Sequence, residues 1–324
     1  MIIRKKISTF CDMKNTMNDN VGISTAWYSG RVENGNALLD SMGESGLSAL
    51  EIDYRVTEAM LLQMWPRLHR QEFRVLTVHN YCPTPPGHEG SDNVASLFNP
   101  ASLDESEREQ AVRYGLKSIE VAAELGARLV VFHLGAVDMT CEMRRLFRYY
   151  EQDGLTHPDF IDYLNQVRET RSRLIGQHWP ALMRTLEVLH QEAYRSGILI
   201  GIENRYRLSQ IPFGDEFATI FGEFSGGQMR YWHDVGHAEI YHRLGVYDHV
   251  RDYLQPNQEH LAGMHIHDIA GIRDHLAPGM GDFDFGLLEP FLKPDTLRII
   301  EVHQHADAAQ VRRGVERLQE SGLA

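Results

Sequence analysis

The sequence predicts one α/β domain, a (β/α)8 TIM barrel with an extended helical insertion after the fourth strand. Three observations carry that prediction. Short β-type runs alternate with amphipathic helical patterns, the signature of βαβ units and a parallel sheet. Eight such runs occur with no Pro/Gly/Ser linker or composition break between them. Six of the eight end in His, Glu or Asp, and in a parallel barrel the C-terminal strand ends converge on one mouth.

Residues 1–20 are polar and lack either period, so they read as a loose N-terminal tail before a single domain over 21–324. The first three runs are Val21-Gly-Ile-Ser-Thr-Ala26, Leu50-Glu-Ile-Asp-Tyr54 and Val75-Leu-Thr-Val-His79. A proline-rich loop, Asn80-Tyr-Cys-Pro-Thr-Pro-Pro-Gly87, follows and is long enough to overhang a site. The next helix opens after Ser102 with Asp104 and Glu105 near its first turn and closes at Glu124-Leu-Gly126, feeding Leu129-Val-Val-Phe-His133. From Asp138 to Gly197 the helical period runs about twice as long as a βα repeat needs, which implies an inserted helical hairpin. Its part up to Pro180 is expected to roof the barrel mouth, with Phe147, Tyr149, Tyr150 and Trp179 packing the hairpin. Strands resume at Ile198–Glu203, Met229–Asp234, Leu261–His267 and Leu297–Glu301.

Composition narrows the class. At 43% hydrophobic and 24% charged residues, the chain can bury a full core and is neither disordered nor membrane-embedded in composition. No apolar stretch approaches the ~20 residues of a membrane span, and the N-terminus lacks a signal-peptide apolar segment, so a cytoplasmic location is expected. Cys11, Cys82 and Cys141 have no CxxC spacing and read as free thiols. A net charge of −13 disfavours nucleic acid and points to a small-molecule substrate, with an oligomer left open. Seventeen histidines in so acidic a chain point to metal binding, although His157, His178 and His260 read as solvated surface residues.

Converging carboxylates are costly to bury without a cation. Mixed His, Asp and Glu donors without thiolate suit Zn²⁺, Mn²⁺, Fe²⁺ or Co²⁺ better than Ca²⁺, and the donors alone leave these four open. His267, two residues after His265, shares its face and reads as a residue behind the ligand or beside the substrate. His233 points opposite to Asp234 and reads as packed between strand and helix, while His303 and His305 read as loop or surface.

The strand ends His79, His133-Leu-Gly, Glu203-Asn, Asp234-Val-Gly-His237, His265-Ile-His-Asp, His275-Leu-Ala-Pro-Gly-Met-Gly and Glu301 resemble the xylose isomerase-like TIM-barrel superfamily. That group holds sugar isomerases and epimerases as well as endonuclease IV-type phosphodiesterases. The resemblance implies that Glu203, Asp234, His265 and Glu301 ligate one ion, with Glu203 and Glu301 moving protons in the isomerases. In the endonuclease-type members His79 and His133 would ligate a second ion sharing Glu203, and His237 and His275 a third, so the resemblance implies one to three divalent ions, Zn²⁺ or Mn²⁺. The aspartate expected two residues before that last histidine is Arg273 here, with Asp274 beside it, and Arg273 with its planar fork is expected to grip substrate instead.

Two functions follow from different reaction classes. The first is hydrolysis of a phosphoester or phosphodiester in a small sugar- or phosphosugar-containing metabolite at a two-metal site, cobamide remodelling being one known type in the superfamily. Here Glu203, Glu301 and His237 carry the chemistry and Arg273, His237 and His267 the substrate. The second is sugar or sugar-phosphate isomerisation or epimerisation with one ion and two glutamates. Hydrolysis is placed slightly ahead, because His79 and His133 are not required by a one-metal isomerase. A barrel that only binds metal would leave the convergent acids unexplained.

Overall fold

The computed structural model describes residues 17–91, 93–152 and 154–324. Of the expected loose tail, residues 1–16 lie outside the described residues. Its last four, Met17–Asn20, form a 3-10 turn, and buried Asn20 donates to the Pro294 carbonyl at 2.7 Å, so order begins before the first strand.

Among the described residues there are ten strands: β1 (Val21–Ser24), β2 (Ala49–Ile52), β3 (Arg74–His79), β4 (Leu129–Phe132), β5 (Leu199–Glu203), β6 (Met229–Asp234), β7 (Leu261–Ile266), β8 (Asp268–Ala270), β9 (Arg273–Leu276) and β10 (Leu297–Ile300). Eight close into a parallel barrel in the order β1-β10-β7-β6-β5-β4-β3-β2, and β8 and β9 form an antiparallel hairpin beyond the end of β7. The eight predicted strands are these eight, within a residue or two at most ends.

The two-residue period of the strands sorts side chains between two cores. Along β4, Leu129 and Val131 fill the barrel interior while Val130 and Phe132 pack outward under the helices. The same parity sends Ile299 inward on β10 and Trp232 inward on β6. Two residues further on, that inward face carries Glu301 and Asp234. Trp232 plugs the interior because Gly263 on the neighbouring strand yields space: a Cβ there would fall 2.4 Å from the indole ring. On β3 one extra residue, Leu76, bulges between the pairs Leu50↔Val75 and Glu51↔Thr77, which realigns Thr77 with Glu51 across the two strands.

The helices follow their sequence signals. The helix Glu105–Leu125 is capped by the Asp104 side chain and ends at Gly126 with φ 70°. The insertion after β4 is a short helix, Met143–Glu151, followed by a single 39-residue helix, Pro158–Ser196, capped by His157 and closed by Gly197. The hairpin expectation is therefore met by one short and one long helix. Phe147, Tyr149, Tyr150 and Trp179 are half-buried against the main core, as packing residues would be.

Candidate metal centre

Above the strand ends lies a cavity of about 700 Å³ whose walls include His79, His133, Glu203, His237, Asp274, His275 and Glu301. None of its lining residues comes from Asp138–Pro180; the walls above the strand ends come instead from Ser96, Tyr206, Arg207 and His303–His305. The insertion therefore adds no residue to the cavity's lining; its long helix packs along Glu105–Leu125.

Fully buried His265 places Nε2 3.1 Å from both oxygens of Glu51, so Nε2 carries the hydrogen. A neutral ring then leaves a lone pair on Nδ1, which lies 3.1 Å from Glu301 Oε2, 3.4 Å from Glu203 Oε1 and 3.6 Å from Asp234 Oδ2. Three carboxylates crowd an acceptor nitrogen, and only a proton or a cation makes that arrangement tolerable. Without an ion it is a proton: burial alone would push the imidazole down, but Glu301 and Glu51 hold it well above the usual histidine range.

Neighbouring histidines are locked in the same manner. His79 Nδ1 donates to the Asn80 carbonyl at 3.0 Å, leaving Nε2 3.8 Å from Glu203 Oε2. His237 Nδ1 donates to the Asn204 carbonyl at 3.0 Å, and its ring stacks on Tyr206. His133 bonds Ser96 Oγ through Nδ1, and its Nε2 lies 2.6 Å from Glu203 Oε2 without hydrogen-bond alignment. Burial, with Arg205 nearby, pushes the His133 imidazole down to about 3, so the ring is neutral at pH 7. An outer nitrogen fixed by a carbonyl or carboxylate with the inner one turned to anions, as in His265 and His79, is what metal-binding histidines present; His237 instead turns one nitrogen, Nδ1, toward both the Asn204 carbonyl and the carboxylates of Asp234 and Glu203.

Ligand atoms lie within 4.8 Å of one another in His79/His133/Glu203, in Glu203/Asp234/His237, in His237/Asp274/His275 and in Glu51/His265/Glu301. Glu203 links these groups because its oxygens face different ways. Oε1 approaches His265 and His237, while Oε2 accepts from Arg205 Nη1 at 2.7 Å. Against a large burial cost, Arg205 and His133 hold this carboxyl well below its usual range, and it is ionised at neutral pH.

The profile of the xylose isomerase-like TIM-barrel family matches residues 40–321. The chain belongs to that family. Among solved structures, a 3-keto-D-glucoside 4-epimerase from E. coli is 20% identical, with TM-score 0.65 over 93% of this chain and 99% of that one. A D-allulose 3-epimerase from Methylomonas sp. is 12% identical, with TM-score 0.63 over 93% and 97%. A protein from Thermus thermophilus, soaked with ZnCl2, is 18% identical, with TM-score 0.58 over 93% and 97%. At such identities the likeness speaks for the fold. No curated protein sequence matches the chain.

Within this family member the strand-end residues His79, His133, Glu203, Asp234, His265 and Glu301 gather as the sequence suggests, joined by His237 and His275. Arg273 does not: it is exposed and absent from the cavity lining, which contains Asp274 instead. The cause is local. His275 has φ 55°, so the strand alternation breaks and adjacent side chains meet, Asp274 Oδ2 lying 3.2 Å from His275 Nδ1. His267 is fully buried and does not line the cavity. Its Nδ1 accepts the His275 N–H, so Nε2 donates to Asp234, 3.3 Å from each oxygen, and steadies that carboxylate.

Other expectations change as well. His303 lines the cavity and stacks on His275 at 3.9 Å, and His305 sits exposed at the rim. His178 is buried, donating to the Ala101 carbonyl and accepting from the Asp138 N–H, so it is a packing residue and not a solvated one. His233 is packed behind the barrel as expected, between Tyr231 and His249. Cys82 and Cys141 are free thiols; Cys11 lies outside the described residues. Glu51, bonded to His265, and Arg205, bonded to Glu203, are the buried members of the cluster that the sequence does not single out. Among the described residues no helix is long and apolar enough to cross a membrane.

Proposed function

We propose that this protein is a divalent-metal-dependent epimerase or isomerase of a sugar or sugar derivative, with one ion held by Glu203, Asp234, His265 and Glu301. The observation that carries this reading is the His265 ring, locked by Glu51 on one nitrogen and ringed by three carboxylates on the other. One imidazole with three carboxylates suits Mn²⁺ or Zn²⁺. When bound, the ion would polarise adjacent oxygens of the substrate and acidify the carbon-bound hydrogen between them. Glu203 and Glu301 both line the cavity, and in turnover one would act ionised as the base while the other, having first taken up a proton, would act as the acid. One takes the proton from the carbon beside the carbonyl; the other returns a proton to that carbon, inverting it, or to the neighbouring carbon. The stacked Tyr206–His237 pair offers a flat wall against which a sugar ring can orient.

Two considerations reverse the order expected from the sequence, hydrolysis ahead of isomerisation. Arg205 already neutralises Glu203 Oε2, the oxygen that a second ion would have to share. The E. coli and Methylomonas proteins of like fold are epimerases. Two-metal hydrolysis keeps one specific support, the Nε2 atoms of His79 and His133 gathered on the Oε2 side of Glu203.

The test is deuterium wash-in. Metal-loaded protein is incubated with a panel of ketoses, keto-glycosides and their phosphates in D2O and the products are read by NMR. Uptake at one carbon, lost on chelation and in Glu301→Gln, is expected. No uptake across the panel, together with metal-dependent cleavage of bis(p-nitrophenyl) phosphate, would replace this function by the hydrolase.

A further inference from the structure

Beside the metal floor the cavity adjoins a side chamber of about 310 Å³, and the two share Ser96, His133, Arg205, Tyr206 and Arg207 as common wall. Their linings differ in balance: in the main cavity Glu203, Asp274 and Glu301 stand beside Arg55, Arg205 and Arg207, whereas the described residues lining the chamber include the guanidinium groups of Arg205 and Arg207 and no carboxylate. Arg205, only 8% exposed, commits Nη1 to Glu203, while its Nε is buried with no hydrogen-bond partner. A buried guanidinium N–H without an acceptor is costly, and a ligand oxygen would satisfy it. Arg207 stands exposed at the rim, its guanidinium carbon 5.6 Å from the Tyr206 ring centroid.

The far wall is already built. Asn99 Oδ1 accepts the N–H groups of Ala101 and Ala136, and its Nδ2 donates to the Ala136 carbonyl at 2.8 Å. Gly135, at φ 89°, permits this approach, since a Cβ there would fall 2.0 Å from Asn99 Oδ1. A preformed pocket loses little freedom on filling.

We propose that the chamber is an oxyanion subsite, in which Arg205 and Arg207 hold a phosphate or carboxylate group carried by the substrate away from the carbon served by Glu203 and Glu301. That the anion belongs to the substrate rests on the epimerase or isomerase reading; that the chamber takes an oxyanion does not. The substrate class is thereby narrowed to acidic sugar derivatives, with the neutral part over the metal floor and the charged part between the arginines.

The experiment is calorimetric titration of the full-length chelated protein with inorganic phosphate and, separately, with acetate, so that no ion is present to take the anion. Saturable binding is expected, weakened about tenfold by Arg207→Ala, as for loss of one charged hydrogen bond, and largely retained by Arg207→Lys. Arg205→Gln, checked for native circular dichroism, should abolish it. The tighter of the two anions names the source, phosphate ester or carboxylate. If neither anion saturates the wild type, or if Arg207→Ala binds both as the wild type does, the subsite is wrong. No turnover is involved, so a failed deuterium experiment leaves this result standing, and the reverse holds equally.

Discussion

Glu51→Gln removes one buried charge from behind the metal centre without changing volume. Glu51 is fully buried, both its oxygens lie 3.1 Å from His265 Nε2, and Oε2 also accepts from Thr77 at 2.8 Å. The amide oxygen of Gln can still accept one hydrogen bond, so the fold is retained, while the polarisation of the imidazole is lost. Outer partners of metal-ligating histidines typically contribute about 10–100-fold in affinity, or about 1.4–2.8 kcal/mol. The proton competes in the other direction. Glu51 helps to hold the His265 proton in the metal-free protein, so an ion binding to the wild type must displace a tightly held proton, and in the variant a looser one. The loss of affinity should therefore be smaller near pH 6.5 than near pH 8, where displacement costs less in both proteins. Titration of Mn²⁺ into the two proteins at both pH values reads it directly. Equal affinities at pH 8, or a loss that grows toward acid, would refute the role given to Glu51.

Three further outcomes are expected. Arg273→Ala should leave KM unchanged, because the side chain is exposed outside the cavity, while Asp274→Asn should alter it; steady-state kinetics on any turned-over substrate decides. Glu239→Gln should lower stability at neutral pH but little in acid. Against its burial, hydrogen bonds from His249 and Arg243 hold the Glu239 carboxyl below its usual range. A depressed carboxylate stabilises fully above its unfolded value of about 4.3 and loses that contribution as pH falls through the folded one. The Tm gap between wild type and variant should close below about pH 4, and a gap constant with pH would contradict it. Gly263→Ala should lower stability by about 1–3 kcal/mol through overpacking against Trp232, measured by urea unfolding; no loss would mean the interior is looser than described.

What the sequence made legible follows from the barrel's regularity. Apolar runs ending in His79, His133, Glu203, Asp234 and His265 could be placed on one mouth because strand period and strand end are local properties. Glu51 escaped notice because it lies inside a run, Leu50-Glu-Ile-Asp, where a carboxylate looks like the polar half of an alternating strand. Its inward role depends on a bulge in β3 that aligns it with Thr77. Arg205 could have been found, since it stands two residues past Glu203. The exchange of Arg273 for Asp274 could not, because it turns on one left-handed residue, His275. The insertion's helices were equally plain, but where they dock is a matter of tertiary packing, and the mouth is walled by shorter loops.

The number of ions held, and by whom, decides between one-metal proton transfer and two-metal hydrolysis. Protein purified without chelator, saturated with Mn²⁺ or Zn²⁺ and desalted, is analysed for metal in the wild type, in His265→Ala and in the double variant His79→Ala/His133→Ala. One equivalent in the wild type, lost in His265→Ala and kept in the double variant, is the predicted result. Two equivalents falling to one in the double variant would contradict it and make Glu203 a bridge between two ions.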